Sequence, residues 1–122
     1  LKGNNATPDY RGVPSAVFTI PELVRVGMLE SEAKKAGRDI RVAFTDTAKW
    51  YSNFRTGETC AAAKVLIDKE TDEIIGAHMI GPEYGELINY FGLAMRLGLK
   101  SRDVKQLVSA YPSVSADLGS ML

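Results

Sequence analysis

One cysteine, one histidine and a tryptophan with two aromatic neighbours are the side chains of this chain best suited by type to chemistry. Cys60 could act as a nucleophile or a redox thiol, which requires exposure and a depressed pKa. It sits beside Ala61, Ala62 and Ala63 with no CxxC partner and no nearby base, so a buried thiol packing as a small apolar group inside a strand is expected. His78 stands between Ala77 and Met79. A metal site needs several converging ligands, and nothing at suitable spacing joins it, so a structural role is expected. Trp50, Tyr51 and Phe54 could stack on a nucleobase or a flavin ring, although packing is the favoured expectation. Gly76, Gly81, Gly85, Gly92 and Gly98 do not form a phosphate-binding GxGxxG loop. The chain holds no catalytic set of its own.

The elements that would position these side chains follow from composition and pattern. At 122 residues, 45% apolar and 25% charged, the chain fits one globular domain with a real core. Fifteen basic and fifteen acidic residues cancel, which leaves no electrostatic footprint for nucleic acid or an anionic membrane. A single cysteine points to a reducing compartment, with the cytoplasm as the expected location. The first residues lack the basic and apolar regions of a signal peptide, and no segment reaches the ~20 apolar residues of a bilayer span. The chain opens on leucine, and a piece of a longer polypeptide is the expectation.

Residues 1–12 read as a polar linker, and residues 15–19 as a short strand. Thr19, Pro21 and Glu22 fit a capping box, which predicts a single helical turn. Alternation over residues 23–27 predicts a strand with Leu23, Val24 and Val26 near a buried surface. Residues 30–36 predict a short helix, stopped by Gly37 and carrying a Glu30–Lys34 pair. A strand over residues 40–45 puts Ile40, Val42 and Phe44 on one face. The polar and aromatic run 46–58 reads as a long irregular loop.

Residues 60–68 and 73–80 form a predicted β-hairpin, apolar on both faces and therefore central, with Asp72 in a left-handed turn position. The longest helix is predicted over residues 83–97, where Leu87, Ile88, Phe91, Ala94, Met95 and Leu97 make an apolar surface too wide for one buried stripe. Glu86, Asn89 and Tyr90 interrupt it. Gly98 ends this helix, Ser101 is expected to cap a short successor with Asp103 at its positive end, and Ser113 or Ser115 starts a last helix to Met121. Strands among helices without βαβ alternation predict an α+β fold, a central antiparallel sheet with helices packed against it.

Three ordered motifs carry a family resemblance. They are Val13-Pro14-Ser15-Ala16-Val17-Phe18-Thr19-Ile20-Pro21-Glu22-Leu23, the pair Val26-Gly27, and the hairpin exit Gly76-Ala77-His78-Met79-Ile80-Gly81-Pro82. Together they resemble the C-terminal dimerisation, or interface, domain of the pyridine nucleotide-disulfide oxidoreductases, among them glutathione reductase, dihydrolipoamide dehydrogenase and mercuric reductase. The segment Thr45-Asp46-Thr47-Ala48-Lys49-Trp50-Tyr51 and the later Tyr-Pro look most similar to bacterial glutathione-reductase-like proteins.

The resemblance implies a dimerisation domain over residues 13–122, preceded by a linker over residues 1–12 from upstream FAD and NAD(P) domains of the same chain. It implies FAD and NAD(P)H in the intact parent, none bound to this fragment, and a role in redox homeostasis. Self-association as a homodimer would use the helix of residues 83–97, with Glu86, Asn89, Tyr90 and Leu93 at the contact. The tail would reach the other subunit's flavin and disulfide. There the family typically reads His-Pro-Thr with a Glu five residues after the His. Here Tyr111 holds the His position, Pro112 follows, Ser113 replaces Thr and Ala116 replaces Glu, with Asp117 one residue further on. The resemblance makes Tyr111 and Asp117 the catalytic candidates, and Tyr111 and Pro112 the candidates to touch the partner subunit's flavin. A phenol titrates near ~10 and is a poor base at neutral pH, though it can donate a hydrogen bond. Tyr111 could polarise another acceptor, such as a quinone or metal complex, or pack against the partner's flavin. Its bond to Pro112 is expected to be cis, as the family's His-Pro bond often is. A free-standing dimerisation or binding module without catalytic activity is the alternative.

Overall fold

The computed structural model describes residue 3 and residues 7–122, so part of the expected linker over residues 1–12 lies outside the described residues. Five antiparallel strands run in the order β1-β2-β5-β4-β3, with β1 at Ser15–Val17, β2 at Glu22–Gly27, β3 at Ile40–Asp46, β4 at Ala62–Asp68 and β5 at Ile74–Gly81. The expected hairpin is central, since β5 pairs with both β2 and β4. Val24 and Val26 on β2, Ala63, Val65 and Ile67 on β4, and Ala77 and Met79 on β5 point to one side and form the core. Helix α3 (Tyr84–Leu97) covers that side, together with a C-terminal 3-10 helix (Val114–Met121) that buries Val114, Leu118 and Met121.

The opposite face is partly covered by α1 (Glu30–Lys35). Lys64, on the far face of β4, reaches back to Glu30 at 3.3 Å, and Leu66 beside it is 0% exposed. The Glu30–Lys34 pair forms at 2.6 Å, and the Glu32 carboxylate accepts the Leu29 amide hydrogen at 2.7 Å to cap this helix. Gly37 follows with φ +70°. Ile40, Val42 and Phe44 do share a face, but it is the outward one; Ala43 and Thr45 turn inward.

The β4–β5 turn is held by carboxylates. Asp68 accepts the amide hydrogens of Glu70 and Thr71 at 3.0 and 3.1 Å and a guanidinium hydrogen of Arg38 at 3.0 Å. These contacts, the Thr71 amide foremost, hold its carboxyl below the ordinary range. Asp72 adopts φ 61° as expected and accepts the Ser101 hydroxyl at 2.6 Å, fixing the turn to α4 (Ser101–Val104).

Several expectations fail for identifiable reasons. Thr19 to Glu22 forms no helical turn: Ile20–Pro21 is cis and β2 begins at Glu22. The Glu22 carboxylate, which a capping box would turn back on Thr19, instead accepts the Gly85 amide hydrogen at 2.7 Å. Leu23 is exposed, because only Val24 and Val26 of that strand face the core. Residues 46–58 are not an irregular loop throughout, since a helical turn, α2 (Tyr51–Phe54), interrupts them and buries Ser52 and Asn53. Cys60 precedes β4 and is exposed rather than buried in it. Ser101 does not cap α4; the cap is Lys100, whose amide hydrogen goes to the Asp103 carboxylate at 2.9 Å.

Candidate functional site

Helix α3 is amphipathic in an unusual sense. Tyr84, Leu87, Ile88, Phe91 and Ala94 bury one side against β2 and β5. Glu86, Tyr90, Leu93 and Leu97 recur at steps of four, three and four residues, which lines them along the opposite side, with Asn89 next to them. All five are exposed, Leu93 at 54% and Leu97 at 64%. A helix facing only water would carry polar groups there. A shallow cleft lined by Phe18, Glu22, Glu86, Ile88 and Asn89 runs between β1 and the start of this helix.

Two contacts seat α3. At its start, Glu83 has a left-handed φ of 61° and supplies no side-chain cap, so the carboxylate of Glu22 takes that role from β2. A Cβ at position 85 would stand 2.6 Å from that carboxylate, so the contact needs the glycine. Near its end, the Arg96 guanidinium donates to the backbone oxygens of Asp9 and Arg11 at 3.4 and 3.0 Å. Gly12 and Gly92 meet where the incoming chain crosses, with no room for a Cβ on either.

The tail loop forms the second part of the site. Tyr111 is 78% exposed at its apex, and the Tyr111–Pro112 bond is cis. Three serines close the loop beneath it. Ser113 donates to the Ala110 oxygen at 2.5 Å and lies 2.9 Å from the Ser115 hydroxyl, while Ser109 donates to the Ser115 oxygen at 3.2 Å. Asp117 accepts the Ser52 hydroxyl hydrogen at 2.5 Å. Among the described residues no hydrogen bond joins Tyr111 to Asp117.

Sequence reasoning missed a buried polar network under α2. The Thr47 and Tyr84 hydroxyls lie 2.7 Å apart, and the Asn53 amide donates to the Tyr84 hydroxyl at 3.1 Å and to the Thr47 oxygen at 2.9 Å. The aromatic pair Tyr51 and Phe54 points outward instead, while Trp50 packs partly against the core. A polar Asn between two exposed aromatics was the available signal.

His78 donates its Nε2 hydrogen to the Met28 backbone oxygen at 3.0 Å, half-buried between its cross-strand neighbours Arg25 and Lys64. Burial holds it below the usual imidazole range, and the two cations add to this. Among the described residues no cluster of three His, Cys, Asp or Glu is arranged to hold a metal.

The pyridine nucleotide-disulphide oxidoreductase dimerisation domain matches residues 13–122. The chain belongs to this family. A Staphylococcus aureus protein described as an uncharacterized 19.7 kDa protein in the mercuric resistance operon is 47% identical over 122 residues, all of this chain and 68% of that protein. The dihydrolipoyl dehydrogenase of Rhizobium etli is 38% identical over 112 residues, 91% of this chain and 23% of the enzyme. Among solved structures, the HOCl-induced flavoprotein disulfide reductase RclA from Escherichia coli superposes with a TM-score of 0.90 at 30% identity, covering 98% of this chain and 27% of that one. The chain thus spans about two thirds of the first relative and about a quarter of the reductases. The five-stranded antiparallel sheet with its packed helices is the fold of the disulfide-reductase dimerisation domain.

Proposed function

We propose that this chain self-associates as a homodimer through the outer side of α3, with Glu86, Asn89, Tyr90 and Leu93 at the contact. The observation that supports it is the exposed Tyr90–Leu93–Leu97 stripe on a helix of a dimerisation-domain family. Two copies related by a two-fold axis would each cover the other's stripe, the self-complementary arrangement of an isologous contact. In the same reading Tyr111 and Pro112 stand at the partner subunit's flavin, and Asp117 lies at the base of that loop.

The parent function that fits is an FAD-dependent NAD(P)H oxidoreductase of the disulfide reductase type, glutathione-reductase-like, working in the cytoplasm. Its FAD and NAD(P) domains would precede residues 1–12, which would then serve as the linker. FAD and NAD(P)H would supply hydride and electron transfer there, while this domain supplies only the contact and the tail. Tyr111 would serve the partner's site as a hydrogen-bond donor through its exposed phenol hydroxyl.

A free-standing dimerisation module is the second reading. It draws on the Staphylococcus aureus relative, whose 19.7 kDa leave about a third of its length beyond this domain, too little for two nucleotide-binding domains.

Titration of the purified chain with FAD separates a contact domain from a flavin-binding one. An unchanged flavin spectrum is expected, and stoichiometric yellow protein would contradict the proposal.

A further inference from the structure

We propose that Ser52 is a positioning residue for the Tyr111 loop, acting through Asp117. This rests on the reading above, in which that loop serves a partner subunit's reaction centre.

The loop around Tyr111 has little apolar anchorage of its own. Tyr111 and Pro112 are exposed, and the flanking Leu107 and Val108 point outward as well. What fixes the loop is polar. Ser109, Ser113 and Ser115 close it on itself, but those bonds set its internal shape and not its place on the domain. Its place depends on the 3-10 helix that follows, through the buried Val114, Leu118 and Met121 and through one side-chain hydrogen bond to another element, from Ser52 to Asp117.

The donor is itself held firmly. Ser52 is buried, and its neighbour Asn53 is wholly buried and bonded to Thr47 and Tyr84. Tyr84 is the first residue of α3, the helix that carries the proposed contact. A continuous series of hydrogen bonds and adjacent residues therefore runs from the start of α3 through Asn53 and Ser52 to Asp117, and on to the loop. Apolar packing of three side chains tolerates sliding and rotation of a 3-10 turn. A charge-assisted bond at 2.5 Å selects one arrangement, because its strength falls steeply with distance and angle. The device accounts for an aspartate at position 117 without assigning it a proton-transfer role.

Hydrogen exchange on the purified chain tests this, with its sedimentation followed in parallel. Ser52→Ala should speed exchange of the amides of residues 115–118 about tenfold, the usual scale for loss of one hydrogen bond to a charged group. Amides of β4 and β5 should stay unchanged. Asp117→Ala should match it, the double variant should add little beyond either, and Ser52→Thr, which keeps the hydroxyl, should restore the slow rate. Unchanged exchange in Ser52→Ala, additive effects in the double variant, or acceleration spread equally over the sheet would each overturn the proposal. Leu93→Lys should leave these rates alone, so loss of self-association and loss of loop placement are read separately.

Discussion

The carboxylate of Glu22 accepts the amide hydrogen of Gly85 at 2.7 Å, so a strand residue caps the start of a helix 63 positions later. This contact seats the helix that presents Tyr90, Leu93 and Leu97. Replacing Glu22 with Ala should cost about 1 kcal/mol, the usual loss for an N-terminal cap. Urea unfolding at neutral pH reads it, and a variant as stable as wild type would assign the capping of α3 elsewhere.

Tyr84 is wholly buried, and its hydroxyl serves both Thr47 and Asn53. Tyr84→Phe keeps the ring but leaves the buried Thr47 hydroxyl without its partner and takes one of the two acceptors of the Asn53 amide, a loss of about 1–3 kcal/mol. Tyr90→Phe, on the exposed side of the same helix, should stay within about 0.5 kcal/mol. Equal effects in paired unfolding curves would remove the network from the account.

Leu66 tests whether the far face of the sheet is a second packed layer. It is 0% exposed and lies opposite Gly76, on the face from which Lys64 reaches Glu30 of α1. Leu66→Ala should lose about 2–5 kcal/mol, as fully buried leucines do. A loss below 1 kcal/mol would mean that α1 closes over the gap or is not seated there.

Acid should weaken the fold in two stages. His78 is held below its unfolded value by burial, with Lys64 and Arg25 beside it and Glu32 opposing. The unfolded chain therefore binds the proton first, and stability falls as pH drops below ~6.5. Asp68 and Asp72 are held low chiefly by the Thr71 amide and the Ser101 hydroxyl, and Glu30 by Lys34. Asp9 is held at about 2, mainly by the Arg11 guanidinium. Their contribution is complete above the unfolded carboxylate values and is lost as pH falls below ~4. His78→Gln should remove the upper stage only. Unfolding midpoints that stay level between pH 7.5 and 5.5 would contradict the first stage.

The sheet was legible because its signals are local. Two short apolar runs around a polar turn mark both strands over residues 60–68 and 73–80, and the helical recurrence of Leu87, Phe91 and Ala94 marks α3. What escaped depends on partners far along the chain. Thr19 and Glu22 satisfy a local capping pattern, but Gly85 competes for the carboxylate and wins. Thr47 meets Tyr84 37 positions on, and Ser52 meets Asp117 65 positions on, so the run between residues 46 and 58 looked like loop. Cys60 was misplaced by two residues at the start of β4, enough to turn a buried thiol into an exposed one.

Sedimentation equilibrium over a concentration series, comparing wild type with Leu93→Lys, tests the central claim most directly. Lysine is a good helix former at an exposed helical position, so the fold should survive while a like charge meets its copy across the two-fold axis. Wild type should approach twice the 13.3 kDa of one chain as concentration rises, and the variant should remain at one. Wild type that stays monomeric throughout, or a variant that dimerises equally well, would contradict it.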